Sequence, residues 1–414
     1  MTVSPRRVST AFLVGAWFLS AAGTVRAESW KFTIKGDAAI TAPTVVVAEV
    51  QGVPAPGFWK SDTEIPNGKL SRSGEVFKDG GKTFLVLLVN ELGGGEFTST
   101  TMTKRETPNS PIFYLDLKGP DVGVNLQPGF FTTYHAQDGP KPYYYPLIGP
   151  DRKPVTRAYP MKQVEGEDRD HPHQRSMWFS HGDVNGFDFW ASDPLNKPNP
   201  KFGAIQETSR AIVHNGLHVG VMRTTDDWLG LDGKKVCEDE RTVLFTGTDG
   251  NALRLIDFDV TIKATAGPVT FGDTKEGMFG LRVASSMDVK RKLGGKITNA
   301  EGATDNDAWG KASPWVDYTG PVEGKTVGIA ILNHPDSFRY PTTWHVRDYG
   351  LFAANPFGWH DFGLKKSGAY TVPAGESIRF RYRVLLHSGD TDSANVPNAF
   401  NGFAKPPAVT AEKE

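Results

Sequence analysis

The sequence predicts an all-β protein: a small N-terminal β-sandwich followed by a large antiparallel β-sandwich or supersandwich. Three observations carry this expectation. Glycine and proline are abundant, 45 and 29 of 414 residues, about 18% against roughly 12% in average usage, as expected of many turns. Aromatic residues make up 11% and hydrophobic residues 38% of the chain, enough to build a core between those turns. Period-two alternation recurs where helical periodicity does not: in residues 253–264 Ile256, Phe258, Val260 and Ile262 fall on one side, Leu255, Asp257 and Asp259 on the other.

Residues 1–27 read as a signal peptide. Arg6 and Arg7 precede an apolar stretch at 11–23, too short for a permanent membrane helix, and Val25 and Ala27 are small enough for signal-peptidase cleavage before Glu28. No later run reaches about 18 apolar residues, so the expectation is an exported, periplasmic or extracellular protein with no membrane span once the leader is removed.

The remainder divides by pattern. Residues 28–105 alternate short β-rich runs, such as 44–50 and 83–89, with Gly, Pro and Asp turns, and read as the small sandwich. A polar, proline-containing stretch at 104–111 reads as a linker. Residues 106–404 read as the large β domain holding the site, and residues 405–414 as a flexible tail. Arg379, Arg381 and Arg383 alternate with Phe380, Tyr382 and Val384, again a strand with one apolar face.

Composition also excludes classes. With 46 basic against 47 acidic side chains there is no excess of positive charge for nucleic acid. A single cysteine, Cys237, rules out an internal disulfide framework, a four-cysteine zinc site and a cysteine-held cluster within one chain.

Three segments concentrate chemistry. Residues 168–190, DRDHPHQRSMWFSHGDVNGFDFW, hold three of the ten histidines, His171, His173 and His181, beside Arg175 and Asn185. Neutral imidazoles with a carboxylate could hold Zn, Fe or Cu, with His171, His173 and His181 as ligands. Equally, they could move protons near their ordinary pKa of about 6.5 without a metal. The structural alternative is a tight turn at 182–186 with histidines capping backbone groups. Residues 333–358 place His345, Arg347 and Tyr349 on one side of an extended segment and Trp344, Val346 and Asp348 on the other, with Asn355 following. Since a buried charge without a partner is costly, a polar cleft on one side fits this pattern, as does a solvated face. Residues 272–282, GDTKEGMFGLR, set Glu276 and Arg282 beside glycines that let backbone approach a ligand; a plain hairpin would read the same. Tyr134 offers a stacking surface for a sugar ring, although packing in the core is the default use of an aromatic.

The segments DHPHQRSMWFSHGDVNGFDFW, EGMFGLR and HPDSFRYPTTWHVRDYGLFAANPFG resemble, in order, the exported bacterial family known as methane oxygenase PmoA and also treated as a domain of unknown function. The resemblance covers roughly residues 110–390. Its name implies a metal-dependent oxygenase, yet the methane monooxygenase subunit behind the name spans the membrane several times and this chain has no such helices. Family members resemble polysaccharide-utilisation proteins. The all-β pattern is similar, by analogy of fold, to galactose-mutarotase-like supersandwiches, whose sites set histidines and a carboxylate over a sugar ring.

The resulting expectation is an exported enzyme acting on a carbohydrate-type small molecule or oligosaccharide by elimination, isomerisation or hydrolysis, in a cleft on the concave face of the large domain. His173, His181, Glu276, His345 and Tyr349 are the candidate catalytic residues. Arg175, Asn185, Arg282, Trp344, Asn355 and Tyr134 are the candidate substrate-binding residues. The cofactor is left open between none and one divalent metal, and a non-catalytic glycan-binding protein is the remaining alternative.

Overall fold

A computed structural model describes residues 28–414, apart from 37–38, 41–43, 51, 53–54, 63–68, 107–111, 128 and 248–253. The expected signal peptide lies outside the described residues, as does most of the expected linker.

Six strands open the chain: β1 (Ser29–Lys35), β2 (Thr44–Glu49), β3 (Gly57–Lys60), β4 (Leu70–Asp79), β5 (Lys82–Val89) and β6 (Phe97–Arg105). Four more follow, β7 (Phe113–Lys118), β8 (Asp121–Leu126), β9 (Gly129–His135) and β10 (Tyr143–Tyr144), then a long loop and β11 (Met177–His181). A meander of long strands comes next: β12 (Ala204–Asn215), β13 (Val219–Leu229), β14 (Lys235–Gly247) and β15 (Arg254–Lys263). The rest comprises β16 (Val269–Phe271), β17 (Gly277–Arg282), β18 (Lys296–Asn299), β19 (Trp315–Val322), β20 (Lys325–Asn333), β21 (Trp344–Val346), β22 (Leu351–Ala354), β23 (Tyr370–Val372), β24 (Ser377–Ser388), helix α1 (Val396–Ala404) and β25 (Ala408–Lys413).

The all-β expectation holds. Three large sheets have antiparallel neighbours throughout. The first is ordered β2-β5-β4-β3-β6-β1-β25, the second β21-β22-β17-β11-β10-β9-β8-β7, and the third β12-β13-β14-β15-β24-β20-β19-β18. The first folds over its own core of Phe32, Ile34, Trp59, Val76, Leu87 and Met102, with Ala48 of β2 and Ala411 of β25 packed on that one core from opposite ends of the strand order. The second and third lie face to face. Phe179, Phe279 and Phe352 of one meet Ile256, Phe258, Phe380 and Tyr382 of the other in the main core. Strand β15 shows why: its inward Ile256, Phe258, Val260 and Ile262 are buried, while Asp257 and Asp259 stay half-exposed on the far side.

One expectation needs correction. Residues 405–414 are not a loose tail, because β25 pairs with β1 from Trp30 opposite Lys413 to Lys35 opposite Ala408, and Val409 is buried in the first sheet's core. The large β region also carries a helix, α1, which seats Val396 and Phe403 on Leu255, Trp315, Leu332 and Leu385 of the third sheet's outer face.

Candidate functional site

The second sheet buries one face in the main core and turns the other outward. Along that outer face the register lines up His345, Ala353, Gly280, Trp178 and Tyr143 on adjacent strands β21, β22, β17, β11 and β10. Ala353 and Gly280, the small residues of this row, make room for Trp178 and Trp190. Gly280 cannot be larger, since a Cβ there would stand 2.7 Å from Trp178 and 2.9 Å from Trp190. Loops 157–176 and 187–203 drape over the tryptophans, and between loop and sheet lies a cavity of about 400 Å³ lined by His171, His173, Gln174, Ala191, Lys275, Glu276, His345, Arg347 and Tyr349. That volume suits a small molecule. The cavity thus opens on the face turned away from the inter-sheet core.

The alternation read from the sequence explains one wall. His345, Arg347 and Tyr349 face the cavity, while Trp344 and Val346 point into the main core. The His345 Nδ1 lies 2.8 Å from the Lys275 carbonyl oxygen. A carbonyl only accepts, so Nδ1 carries the proton and Nε2 keeps its lone pair. Burial pushes the His345 pKa down to about 4, against the opposing pull of Glu276, so the ring is neutral at pH 7.

The opposite wall is set by Asp170. Its carboxylate accepts from Arg157 Nη1 at 2.6 Å and Arg282 Nη2 at 3.0 Å and meets His171 Nδ1 at 2.6 Å. Burial alone would raise its pKa, but the His171 hydrogen bond and the Arg282 and Arg157 charges hold it far below the carboxylate range. This clamp keeps His171 at a left-handed φ of 45° and stacks its ring on Tyr349, 5.3 Å between centres and 7° between planes. The Arg282 guanidinium carbon lies 4.9 Å from the centre of the same ring, and its guanidinium is held by Gln174 Oε1. Burial raises the Tyr349 pKa, leaving the hydroxyl protonated.

His173 complements His345. The Asn196 side-chain amide donates to the Ala191 carbonyl at 2.6 Å, which fixes its orientation, and donates to His173 Nδ1 at 3.1 Å. The His173 proton therefore sits on Nε2. Burial, then the charges of Lys141, His171, Arg157 and Arg282, pushes its pKa to about 2, so this ring too is neutral. Lys141 is itself buried, its ammonium donating to the Trp190 and Ser192 carbonyls at 2.8 and 2.9 Å, and burial lowers its pKa to about 7. It pins the loop that brings Ala191 to the cavity.

The structure brings together His171, His173, Glu276, His345 and Tyr349, and places Arg282 directly behind Tyr349. The other expected residues lie elsewhere. His181 is fully buried between Phe271 and Phe357, its Nε2 donating to the Gly272 carbonyl at 2.9 Å, because it follows Met177 and Phe179 on the inward side of β11. Trp344 is sealed in the main core, its indole donating to Ser313, and offers no platform to a glycan. Tyr134 lies between the sheets and donates to Glu207. Arg175 is buried against Asp193 and over the Tyr143 ring, away from the cavity lining. Asn185, at φ 50°, closes a turn by pairing with the backbone of Thr270 and Pro268. Asn355 is buried, donating to the Thr274 carbonyl and accepting from the Phe357 and Gly358 amides. The metal-ligand set His171, His173 and His181 is therefore not assembled. Among the described residues, no group of three His, Cys, Asp or Glu side chains has the arrangement to hold a metal ion. Lys141, Asn196 and Lys275 are contributors that sequence reasoning missed. Lys275 adjoins Glu276, a signal that was available, while the others act from separate loops.

Among the described residues, no helix is long and apolar enough to cross a membrane. No curated protein matches the chain. Among solved structures it is similar to a protein in glycosyl hydrolase family 38 from Enterococcus faecalis, at 10% identity and a TM-score of 0.36, over 93% of this chain and 47% of that one. The chain thus spans about half the length of that protein. Residues 122–401 match a family whose description carries no oxygenase name, and the expected PmoA label gains no support from it. That match takes in well over half of the sequence, and the chain belongs to the family of unknown function DUF6807.

Proposed function

We propose that the cavity is an acid–base active site for a carbohydrate-type substrate, and that the protein acts after export. One observation carries this reading: two neutral histidines of opposite tautomer face the same hollow, His345 with a free Nε2 lone pair and His173 with an Nε2 proton. One can take a proton while the other donates a hydrogen bond to an oxygen that gains negative charge. A neutral imidazole held below its ordinary pKa is suited to that donor role, because it need not lose a charge to water first. Glu276 stabilises the imidazolium that forms on His345, and the Tyr349 hydroxyl is a second donor.

The chemistry favoured is proton abstraction from carbon, as in isomerisation or elimination. Glycoside hydrolysis in its usual form needs two carboxylates across the bond, and among the described residues Glu276 is the sole carboxylate lining the cavity. The test is to incubate the protein with mono- and oligosaccharides in D₂O and follow C–H exchange and new double bonds by NMR. His345→Ala and His173→Ala should each reduce turnover by about 10²-fold or more while the melting temperature stays close to that of the parent protein. Unaltered turnover in both variants, on an identified substrate, overturns the reading.

A further inference from the structure

Of the two lysine and arginine side chains that line the cavity, one is left without an opposite charge. Lys275 is paired with Glu276 at 2.9 Å. Behind the facing wall, Arg157 and Arg282 share Asp170 at 2.6 and 3.0 Å, and Arg291 meets Asp168 at 3.0 Å and Asp288 at 3.5 Å, so three guanidinium groups face three carboxylates. Arg347 stands apart. Among the described residues its side chain has no ion pair and no hydrogen bond, and its Nε is buried without a partner. Its guanidinium carbon lies 5.6 Å from the centre of the Trp309 ring and 5.7 Å from that of Tyr349. Backbone bonds fix its base: the Arg347 amide donates to the Leu351 carbonyl at 2.8 Å and its carbonyl accepts from Gly350 at 3.1 Å.

A cation held by two rings at the wall of a hollow, with donors unused, is an arrangement that an anionic ligand completes. We infer that Arg347 is the anion-recognition residue of this cavity and that the substrate is a sugar acid, gripped through the carboxylate of a hexuronate-type unit. The inference rests on the acid–base reading of the same site and adds the substrate class to it. A flat guanidinium matches a carboxylate with two parallel hydrogen bonds. The balance of charge selects between anions. One uncompensated positive charge is neutralised by a carboxylate, whereas a phosphate ester, carrying about −1.5 to −2 at neutral pH, would leave the cavity negative. His345 stands two residues away on the same wall, so the held carboxylate lies beside the group that accepts the proton.

The experiment is calorimetric titration of the full chain with glucuronate and galacturonate, with glucose and galactose, which lack only the charge, and with glucose 6-phosphate. The uronates should bind more tightly than the neutral hexoses, and less tightly as salt rises. Arg347→Gln should weaken uronate binding by about tenfold or more and so remove the preference for uronate over hexose, while Arg347→Lys should recover part of the loss. Circular dichroism of each variant confirms that it folds. Equal binding of uronate and hexose, uronate binding untouched in Arg347→Gln, or tighter binding of the phosphate ester each overturns the inference and leaves the acid–base reading standing. Failure of every sugar to bind overturns both.

Discussion

Two outward faces of this protein carry charge on antiparallel sheets of eight strands, and they treat it in opposite ways. On the third sheet the charges are matched across strands. Arg383 of β24 donates to Asp257 of β15 at 2.6 and 2.7 Å, Arg379 grips Asp259 with two nitrogens, and Arg381 reaches Asp336 at 3.0 Å. On the second sheet the cavity leaves groups uncommitted: the His345 lone pair, the His173 Nε2 proton and the Arg347 guanidinium. On the matched face each of these guanidinium groups already holds a carboxylate. The unmatched face retains polar groups at a cost in stability that folding alone does not explain, and chemistry is the better reason for it.

This contrast can be broken most forcefully at His345. His345→Ala should reduce turnover by about 10²- to 10⁴-fold, measured as kcat on the best sugar found, while Arg379→Ala on the matched face leaves kcat unchanged. Comparable losses in both would erase the distinction between the faces.

The next effect is a pH dependence of stability. Burial lowers the pKa of His173 to about 2 and of His181, His334 and His345 to about 4, whereas His387, beside Asp317, is raised. In the unfolded chain each titrates near about 6.5. A histidine with a depressed folded pKa contributes stability that is present above the unfolded pKa and lost as pH falls toward the folded one. His387 has the opposite sign, contributing below its unfolded pKa. Burial also raises the carboxyl groups of Asp226 and Asp288, to about 7 and about 6, and these work with His387 against the four depressed histidines. The four histidines outweigh them, so the free energy of unfolding in urea should fall between about pH 6.5 and 4, His181 alone contributing on the order of 3 kcal/mol. His181→Asn should flatten that slope without altering the pH dependence of turnover at the cavity.

A smaller change is expected on the matched face itself. Asp257→Asn leaves the nearly buried Arg383 guanidinium without its carboxylate, and should cost about 1–3 kcal/mol in urea unfolding with kcat unaffected. Smallest of all, Arg379→Ala removes a half-exposed pair and should cost under about 1 kcal/mol. A larger loss there than at Asp257 would show that exposure does not grade these pairs.

Much of this was legible in the sequence, and the reasons are physical. Alternation in residues 253–264 foretold the two-faced strand β15, and turn density foretold the sheets. His173, Glu276, His345 and Tyr349 stood out because they crowd segments too polar to be buried throughout. His181 misled for the same cause, although its place two residues beyond Phe179 already put it on the apolar side of β11. Trp344 follows the same logic, lying opposite His345. Asn185 and Asn355 are polar residues consumed by turns, which composition does not separate from ligand-binding ones. Asn196 and Lys141 could not be read, because each acts through a loop packed by tertiary contacts far along the chain.

The clasp between β1 and β25 has an implication for biogenesis. Strand β1 finds its outer neighbour, β25, only after the strands of the second and third sheets have been made. Until then β1 presents an open edge to any passing strand, the condition under which chains join one another wrongly. The first sheet is therefore completed only after the strands of the other two sheets have been made.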